Sequence, residues 1–193
     1  MDIKKYIQDS IITKQEILNN NGILEQIQKI ADVIVKAYKQ DKKVLTAGNG
    51  GSAGDAQHIA GELVSKFFFD RPGLSAFSLS TDTSVLTAIG NDYGYEKSFS
   101  RQIQSNAKEG DVFIGISTSG NSKNIVLALE EARKKGVITV GLVGSKECEM
   151  DKWCDYIIHV PSASTPLIQE SHIMIGHIIC ALVEETIFNN KNV

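Results

Sequence analysis

Residues 111–122 read DVFIGISTSGNS and contain the most informative pattern of the chain. Asp111 to Ile116 is an almost continuous apolar run, typical of a strand buried on both faces of a sheet. The polar loop Ser117–Ser122 follows it. An amphipathic helix is predicted next, from about Lys123 to Lys135, and Gly136 ends it as a C-terminal glycine does. A buried strand, a short polar loop and a helix form the repeating unit of an α/β sheet.

The same alternation recurs through the rest of the chain. Further strands are predicted at 43–47, 75–79, 137–143 and 156–160, and further helices at 53–67, 83–89, 96–107 and 166–188. Strands that alternate with helices predict a doubly wound, mostly parallel sheet with helices on both faces. The sequence shows no linker, internal repeat or low-complexity tract. We therefore predict one domain over residues 1–193.

The first forty residues predict an N-terminal helical extension of two helices separated at Asn19–Gly22. Apolar residues recur at helical spacing in each of them: Ile3, Ile7 and Ile11 in the first, and Leu24, Ile27, Ile30, Ala31 and Ile34 in the second. These stripes pack either on the domain itself or in a helix bundle shared between subunits. The sequence leaves both alternatives open.

Composition narrows the class of protein. The chain has 193 residues, 42% of them hydrophobic, and a formal net charge of −3, which disfavours nucleic acid as a partner. No apolar run approaches the ~20 residues that span a bilayer, and residues 1–6 lack a signal-peptide core. We expect a cytoplasmic protein with no membrane partner. Cys148, Cys154 and Cys180 are odd in number and lack C-x-x-C spacing, which favours reduced thiols.

Two strand-to-helix loops are candidate ligand sites, because open α/β sheets bind ligands at the carboxyl ends of their strands. Gly48-Asn49-Gly50-Gly51-Ser52 matches neither the dinucleotide fingerprint nor a P-loop, so no nucleotide cofactor is expected. Its glycines still permit a ligand to approach the backbone at a helix start. Taken alone, the pattern is that of a tight turn.

The loop at 117–122 is more informative. Ser117, Thr118, Ser119 and Ser122 place four hydroxyls around a helix N-terminus, where unpaired N–H groups and the helix dipole favour an anion. Ordinary helix capping needs only one serine. We therefore predict a phosphate site.

Candidate acid, base and metal-binding groups lie on two helices. His58 and Glu62 are four residues apart and share a helix face. The last helix carries His172 and His177 after Gln169 and Glu170. Such N and O donors suit zinc, although a lone His–Glu pair is more often a simple surface pair.

Several motifs together resemble the sugar-isomerase (SIS) domain family. Residues 115–122 resemble its phosphosugar loop. Residues 48–58, 71–73 and 90–94 resemble its phosphoheptose isomerase branch, although Gly54 and Gly61 stand where alanine is common. The resemblance spans most of the chain. It implies a SIS-type, flavodoxin-like fold.

The resemblance also implies a function. The expected reaction interconverts sedoheptulose 7-phosphate and D-glycero-D-manno-heptose 7-phosphate by an enediol proton transfer, in the ADP-heptose biosynthesis that feeds lipopolysaccharide or capsule. It implies catalysis by Glu62 and His177, zinc ligation by His58, Glu62, Gln169 and His177, and a homotetramer. The implied substrate-binding residues are Asn49, Gly50, Gly51, Ser52, Glu62, Asn91, Asp92, Ser117, Thr118, Ser119, Ser122 and Gln169.

Geometry sets a condition on this ligand set. Gln169 and His177 are eight residues apart, or about 12 Å along a regular helix. Either the helix starts after Gln169, or residues from different subunits meet. We further expect Glu62 and His177 to meet across a subunit boundary. Asp55, in the first turn of its helix, is expected to be structural, and His172 is expected to be a core or interface histidine.

Two alternatives remain open from the sequence. One is a non-catalytic SIS-domain adaptor that binds the bacterial replication initiator, which needs no acid/base pair. The presence of Glu62 and His177 favours the enzyme over the adaptor. The other alternative is an isomerase of a different sugar phosphate.

Overall fold

The computed structural model describes residues 2–189. Its strands are β1 (Val44–Gly48), β2 (Ala76–Ser78), β3 (Val112–Ile116), β4 (Ile138–Val143) and β5 (Tyr156–His159). Its helices are α1 (Ile3–Leu18), α2 (Asn21–Tyr38), α3 (Gly51–Val64), α4 (Thr83–Tyr93), α5 (Ser100–Asn106), α6 (Lys123–Lys134) and α7 (Thr165–Phe188). Short 3-10 turns lie at Tyr95–Lys97 and Glu149–Lys152.

The strands form one sheet in the order β2-β1-β3-β4-β5, and every pairing in the described residues is parallel. This is the flavodoxin-like order, in which the chain reverses its direction of travel across the sheet between β1 and β3. The predicted doubly wound α/β fold is confirmed. The loops after β1 and β3 therefore flank the switch point, where ligands bind in such sheets.

Alternate strand residues face two separate apolar cores. Val112 and Ile114 point into the core that α2, α3 and α7 cover, and Phe113 points into the core under α5 and α6. Helices thus lie on both faces of the sheet. As a consequence, α3 and α7 share one face while α6 lies on the other.

Most sequence-based boundaries hold to within a residue or two. The helix after β1 was expected at 53–67 but runs from Gly51 to Val64, because Phe67 and Phe68 turn their N–H groups to Glu184 instead of continuing the helix. The helix expected at 83–89 extends to Tyr93. The one expected at 96–107 is divided into a 3-10 turn and α5.

The two N-terminal apolar stripes differ in burial. The stripe of α2 packs into the core through Ile27, Ile30 and Ile34. The stripe of α1 stays exposed: Ile3, Ile7 and Ile11 face away from the domain. The organisation of 1–193 as one domain with a helical extension stays a prediction.

Helix α7 is long and apolar enough to span a membrane, although polar residues interrupt its apolar run. It has 24 residues, and by length and composition alone it could cross a bilayer. Half of its most apolar 18-residue segment is buried inside the domain, and His172 and Glu184 on this helix are fully buried. It is the core helix of a soluble protein.

Candidate active site

The hydroxyl loop, residues 117–122, connects β3 to α6. Ser117 Oγ lies 2.9 Å from Ser122 Oγ and 3.4 Å from Ser119 Oγ. Ser122 occupies the N-cap of α6, yet its side chain makes no capping hydrogen bond within the described residues. The capping alternative therefore does not account for this cluster of hydroxyls.

A turn at Gly120 gives the hydroxyl loop its shape. Gly120 has φ +65°, a left-handed conformation that favours glycine, and a Cβ there would lie 2.2 Å from Cys148 Sγ. The backbone N–H of Met150 donates to Gly120 O, and that of Glu149 donates to Asn121 Oδ1. The segment after β4 thus supports the loop from behind.

Asn49, in the loop after β1, is held by a network of amides. Its Nδ2 donates to Asn124 Oδ1 at 2.9 Å, and Asn124 Nδ2 donates back to Asn49 Oδ1 at 2.9 Å. The Tyr95 hydroxyl donates to the same Asn49 oxygen at 2.9 Å. Asn124 lies in the first turn of α6, so this pair joins the glycine-rich loop to the helix that follows the hydroxyl loop.

Helices α3 and α7 lie side by side and run in the same direction. Gln169 contacts Gly51 near the start of both helices, Gly176 contacts Ile59 in the middle, and Glu184 bonds Phe67 just past the end of α3. A Cβ on Gly176 would lie 2.8 Å from Ile59, so the glycine permits the close approach. Residues far apart in sequence meet along this line.

His58, Glu62 and His177 form the central cluster of the α3–α7 contact. His58 Nε2 lies 3.0 Å from Glu62 Oε1 and 3.2 Å from His177 Nε2, and the ligand atoms of all three lie within 4.8 Å of one another. A single chain therefore brings Glu62 and His177 together. The expectation that this pair meets across a subunit boundary is wrong for the pair itself.

The donor set of this cluster suits a metal ion. In tetrahedral zinc coordination, two nitrogens at Zn–N distances of about 2.0–2.1 Å are about 3.3 Å apart. The Nε2 atoms of His58 and His177 are 3.2 Å apart, which is close to this value. Two nitrogens that face each other also need a proton or a cation between them, since two lone pairs repel. The His/Glu/His triad could therefore hold a metal.

Gln169 lies nearer the start of α7. The helix begins at Thr165, so the alternative that it starts after Gln169 is wrong. The Gln169 amide packs on Gly51, where a Cβ would lie 2.3 Å from Nε2. It sits about 12 Å along the helix axis from His177. Its zinc ligation stays a prediction.

Asp55 differs from the expected first-turn carboxylate. Because α3 begins at Gly51, Asp55 lies in the second turn, where the dipole argument no longer applies. Burial raises the pKa of Asp55, and a hydrogen bond from Gln169 offsets only part of that effect. Its Oδ2 has no partner in the described residues. Asp55 is a buried group beneath Gln169.

Asn91, Asp92 and His172 lie outside the cluster. Asn91 donates to Asp92 Oδ1 at 2.8 Å on the exposed end of α4, and their contact with substrate stays a prediction.

His172 is fully buried and its Nε2 faces Val143 O at 3.2 Å, as expected for a core histidine. Burial lowers its pKa to about 4. The cysteines of the described residues are free thiols, as predicted.

Sequence reasoning missed the residues that support these groups. Asn124, Tyr95 and Glu184 were not singled out, and Arg71 was noted only as part of a motif. Glu184 lies seven residues after His177, so helical spacing could have placed both on one face. The amide pair of Asn49 and Asn124 has no local signal, since 75 residues separate its members.

Comparison with known proteins identifies the family of this chain. The profile of the SIS domain matches residues 5–144. The match covers more than half of the chain, which therefore belongs to the SIS domain family.

Its similarities are specific within that family. A phosphoheptose isomerase of Aneurinibacillus thermoaerophilus is 62% identical over 98% of this chain and 96% of that protein. The solved phosphoheptose isomerase of Neisseria gonorrhoeae is 36% identical with a TM-score of 0.88, covering 95% of this chain and 97% of that one. The one from Francisella tularensis is 33% identical with a TM-score of 0.91, covering 95% and 96%. The chain therefore belongs to the phosphoheptose isomerases.

Proposed function

We propose that this enzyme interconverts sedoheptulose 7-phosphate and D-glycero-D-manno-heptose 7-phosphate, with Glu62 and His177 as its acid/base pair. The observation that carries the proposal is the cluster in which a carboxylate and an imidazole lie within 4.8 Å of each other. An aldose–ketose isomerisation needs this combination, because one proton moves between adjacent carbons while others move on the two oxygens.

The two groups have separate roles. The Glu62 carboxylate removes the proton from the carbon next to the carbonyl, which gives the enediol, and returns it to the neighbouring carbon. Oε1 of Glu62 faces His58, which leaves Oε2 to take the proton. His177 Nε2 faces His58, which leaves Nδ1 to transfer protons to and from the substrate oxygens. Each proton that leaves one atom is delivered to another, so the reaction needs no oxidant or reductant.

We propose zinc as the metal. His58, Glu62 and His177 would hold it, and family resemblance adds Gln169, which a different subunit would supply because α7 already begins at Thr165. When bound, the ion would hold the two substrate oxygens and stabilise the negative charge that develops on them.

The hydroxyl loop is the proposed phosphate site. Its serine hydroxyls converge at the start of α6 and are not used in helix capping. Asn49, Gly50, Gly51 and Ser52 would line the sugar from the neighbouring loop, on the other side of the switch point. The amide pair of Asn49 and Asn124 fixes one loop relative to the other.

The complete site is proposed to need two chains. Glu62 is eleven residues after Gly51, so it lies about 16 Å along α3 from the carboxyl edge of the sheet. The hydroxyl loop lies at that edge and leads into α6, on the opposite face. One chain's phosphate site would therefore serve a partner's Glu62 and His177.

Exposed apolar residues support self-association. Ile3, Ile7 and Ile11 form a stripe on α1, and Phe68 is exposed next to Phe67, whose ring contacts His177. We propose a homotetramer in the cytoplasm. Its product would enter ADP-heptose biosynthesis.

The deciding experiment incubates the purified chain with sedoheptulose 7-phosphate, with and without zinc, and follows the aldose product by NMR. Product formation that Glu62→Gln abolishes supports the proposal. Conversion of a different ketose phosphate in preference would reassign the substrate. A chain that binds zinc and sugar phosphates but converts none of the sugar phosphates would favour the non-catalytic adaptor.

A further inference from the structure

A buried ion pair joins Arg71 to Glu184 just beyond the acid/base cluster. Arg71 Nε donates to Glu184 Oε2 at 2.9 Å, and the two side chains are 2% and 0% exposed. Burying two charges costs several kcal/mol of desolvation per ion, so such a pair is weak evidence of a stabilising role. Its hydrogen bonds indicate another role.

Arg71 is bound to the backbone of the catalytic turn. Its Nη2 donates to the carbonyl of Glu62 at 2.8 Å, and its Nη1 donates to that of Leu63 at 2.6 Å. These carbonyls belong to the last turn of α3. Carbonyls there have no N–H partner within the helix, and the helix dipole favours a cation. Helix α3 has no basic residue of its own in that turn. Arg71 thus caps α3 at the residue that carries the proposed base.

Glu184 is bound to the segment that flanks the proposed acid. Its carboxylate accepts the N–H groups of Phe67 at 2.7 Å and Phe68 at 2.6 Å. The Phe67 ring lies 5.7 Å from the ring of His177. Glu184 is also seven residues after His177, two turns along the same face of α7. Burial acts to raise the pKa of Glu184, but the N–H donors and Arg71 hold it below its usual value.

The ion pair therefore spans the two helices that supply the acid/base pair. One partner holds the backbone of Glu62, and the other extends from the helix of His177. We propose that Arg71 and Glu184 are positioning residues, which set the separation and orientation of Glu62 and His177. This inference rests on the proposed function.

The central test compares Glu184→Gln with Glu185→Gln, its exposed neighbour on α7. Glu184→Gln keeps the shape and one acceptor but removes the charge. We expect kcat for sedoheptulose 7-phosphate to fall roughly tenfold or more, as for a small displacement of catalytic groups. KM should change less than about twofold, because the proposed phosphate site lies elsewhere. Glu185→Gln should leave both constants unchanged.

A double-mutant cycle separates positioning from general stability. If Glu184 acts through the acid/base pair, Glu184→Gln should cost little further activity in a His177→Ala background. A purely structural role would lower activity by the same factor in both backgrounds.

A second variant covers the case in which Glu184→Gln does not fold. Arg71→Met combined with Glu184→Gln leaves no buried charge and keeps an acceptor for the N–H groups of Phe67 and Phe68. The same split between kcat and KM is expected.

The outcomes distinguish the two proposals. A wild-type chain that converts sedoheptulose 7-phosphate, while the folded variants keep its kcat, overturns the positioning role alone. A wild-type chain with no isomerase activity overturns the proposed function and the positioning role with it.

Discussion

The hydroxyl loop and the α3–α7 cluster are built in opposite ways. The loop is one run of six residues whose serines bond each other across at most five positions. In the cluster, His58 meets His177 across 119 residues, and the pair depends on how two helices pack. A change in the loop should therefore act locally, whereas a change anywhere along the helix contact can displace the cluster.

The two regions also differ in which chemistry they suit. Serine hydroxyls and free N–H groups at a helix start bind an anion without changing their charge. A carboxylate and imidazoles can take up and release protons, and they can also bind a metal. The comparison predicts that loop variants change affinity and cluster variants change turnover.

The largest effect is expected at the cluster. Glu62→Gln keeps the side-chain shape but removes the base, so kcat should fall a hundredfold or more, on the scale of general-base catalysis. His177→Ala should do likewise. Steady-state kinetics with sedoheptulose 7-phosphate measures both. A kcat that stays within a few-fold of wild type would remove the catalytic assignment.

A smaller effect is expected at the loop. Ser119→Ala with Ser122→Ala removes two hydroxyl donors, each worth about 1 kcal/mol, so substrate affinity should weaken about thirtyfold in total. Thermal melting should change little, since Ser119 is exposed and Ser122 does not cap α6. Calorimetric titration with sugar phosphate provides the measurement. Unchanged affinity would place the phosphate elsewhere.

Hybrid oligomers test whether the two regions act across subunits. Ser119→Asp puts a carboxylate in the proposed phosphate site and should inactivate the loop, while Glu62→Gln inactivates the cluster. In a 1:1 mixture reassembled from separated chains, roughly a quarter of shared sites would combine an intact loop with an intact cluster. Activity should recover to about that fraction.

The control for this experiment mixes Glu62→Gln with His177→Ala. Because one chain supplies both residues, this mixture should stay inactive. Recovery in the control but not in the first mixture would reverse the assignment of residues to chains. A wild-type chain that is monomeric by light scattering at micromolar concentration would exclude shared sites altogether.

The smallest effect concerns His172, which joins α7 to the end of β4. Its pKa of about 4 in the folded chain lies below the ordinary 6.5, so the unfolded chain binds more protons and stability falls as pH drops through that interval. From pH 7 to 5.5 the contribution should be about 1 kcal/mol. Urea unfolding at the two pH values measures it. The His172→Gln variant should lose this part of the pH dependence.

The fold could be predicted from local pattern because each strand, loop and helix signals itself. Apolar runs such as Ile138–Val143 followed by helical periodicity predict a parallel sheet, and four hydroxyls at 117–122 predict an anion site. The start of α3 was missed by two residues, because Gly50 and Gly51 read as a turn although α3 begins within them. Misplacing that start also produced the wrong environment for Asp55.

The sequence predicts which residues form the cluster, but not how the two helices bring them together. His58 and Glu62 share a face by spacing alone, but nothing local indicates that α7 runs parallel to α3 or that Gly176 lets the two approach. Helix packing decides both. The same reason explains why Arg71 and Glu184 were missed: 113 residues separate them, and each is an ordinary charged residue in its own neighbourhood.

The parallel contact of α3 with α7 has a consequence for the order of folding. His177 and Glu184 lie in the last helix described, while Glu62 lies in the first third of the chain. A nascent chain can form β1, α3 and the hydroxyl loop during synthesis, but it has no acid/base pair until α7 docks. Until then Arg71 lacks Glu184, its carboxylate partner. The cluster of His58, Glu62 and His177 is therefore completed only when the last helix docks, at the same step that neutralises the charge of Arg71.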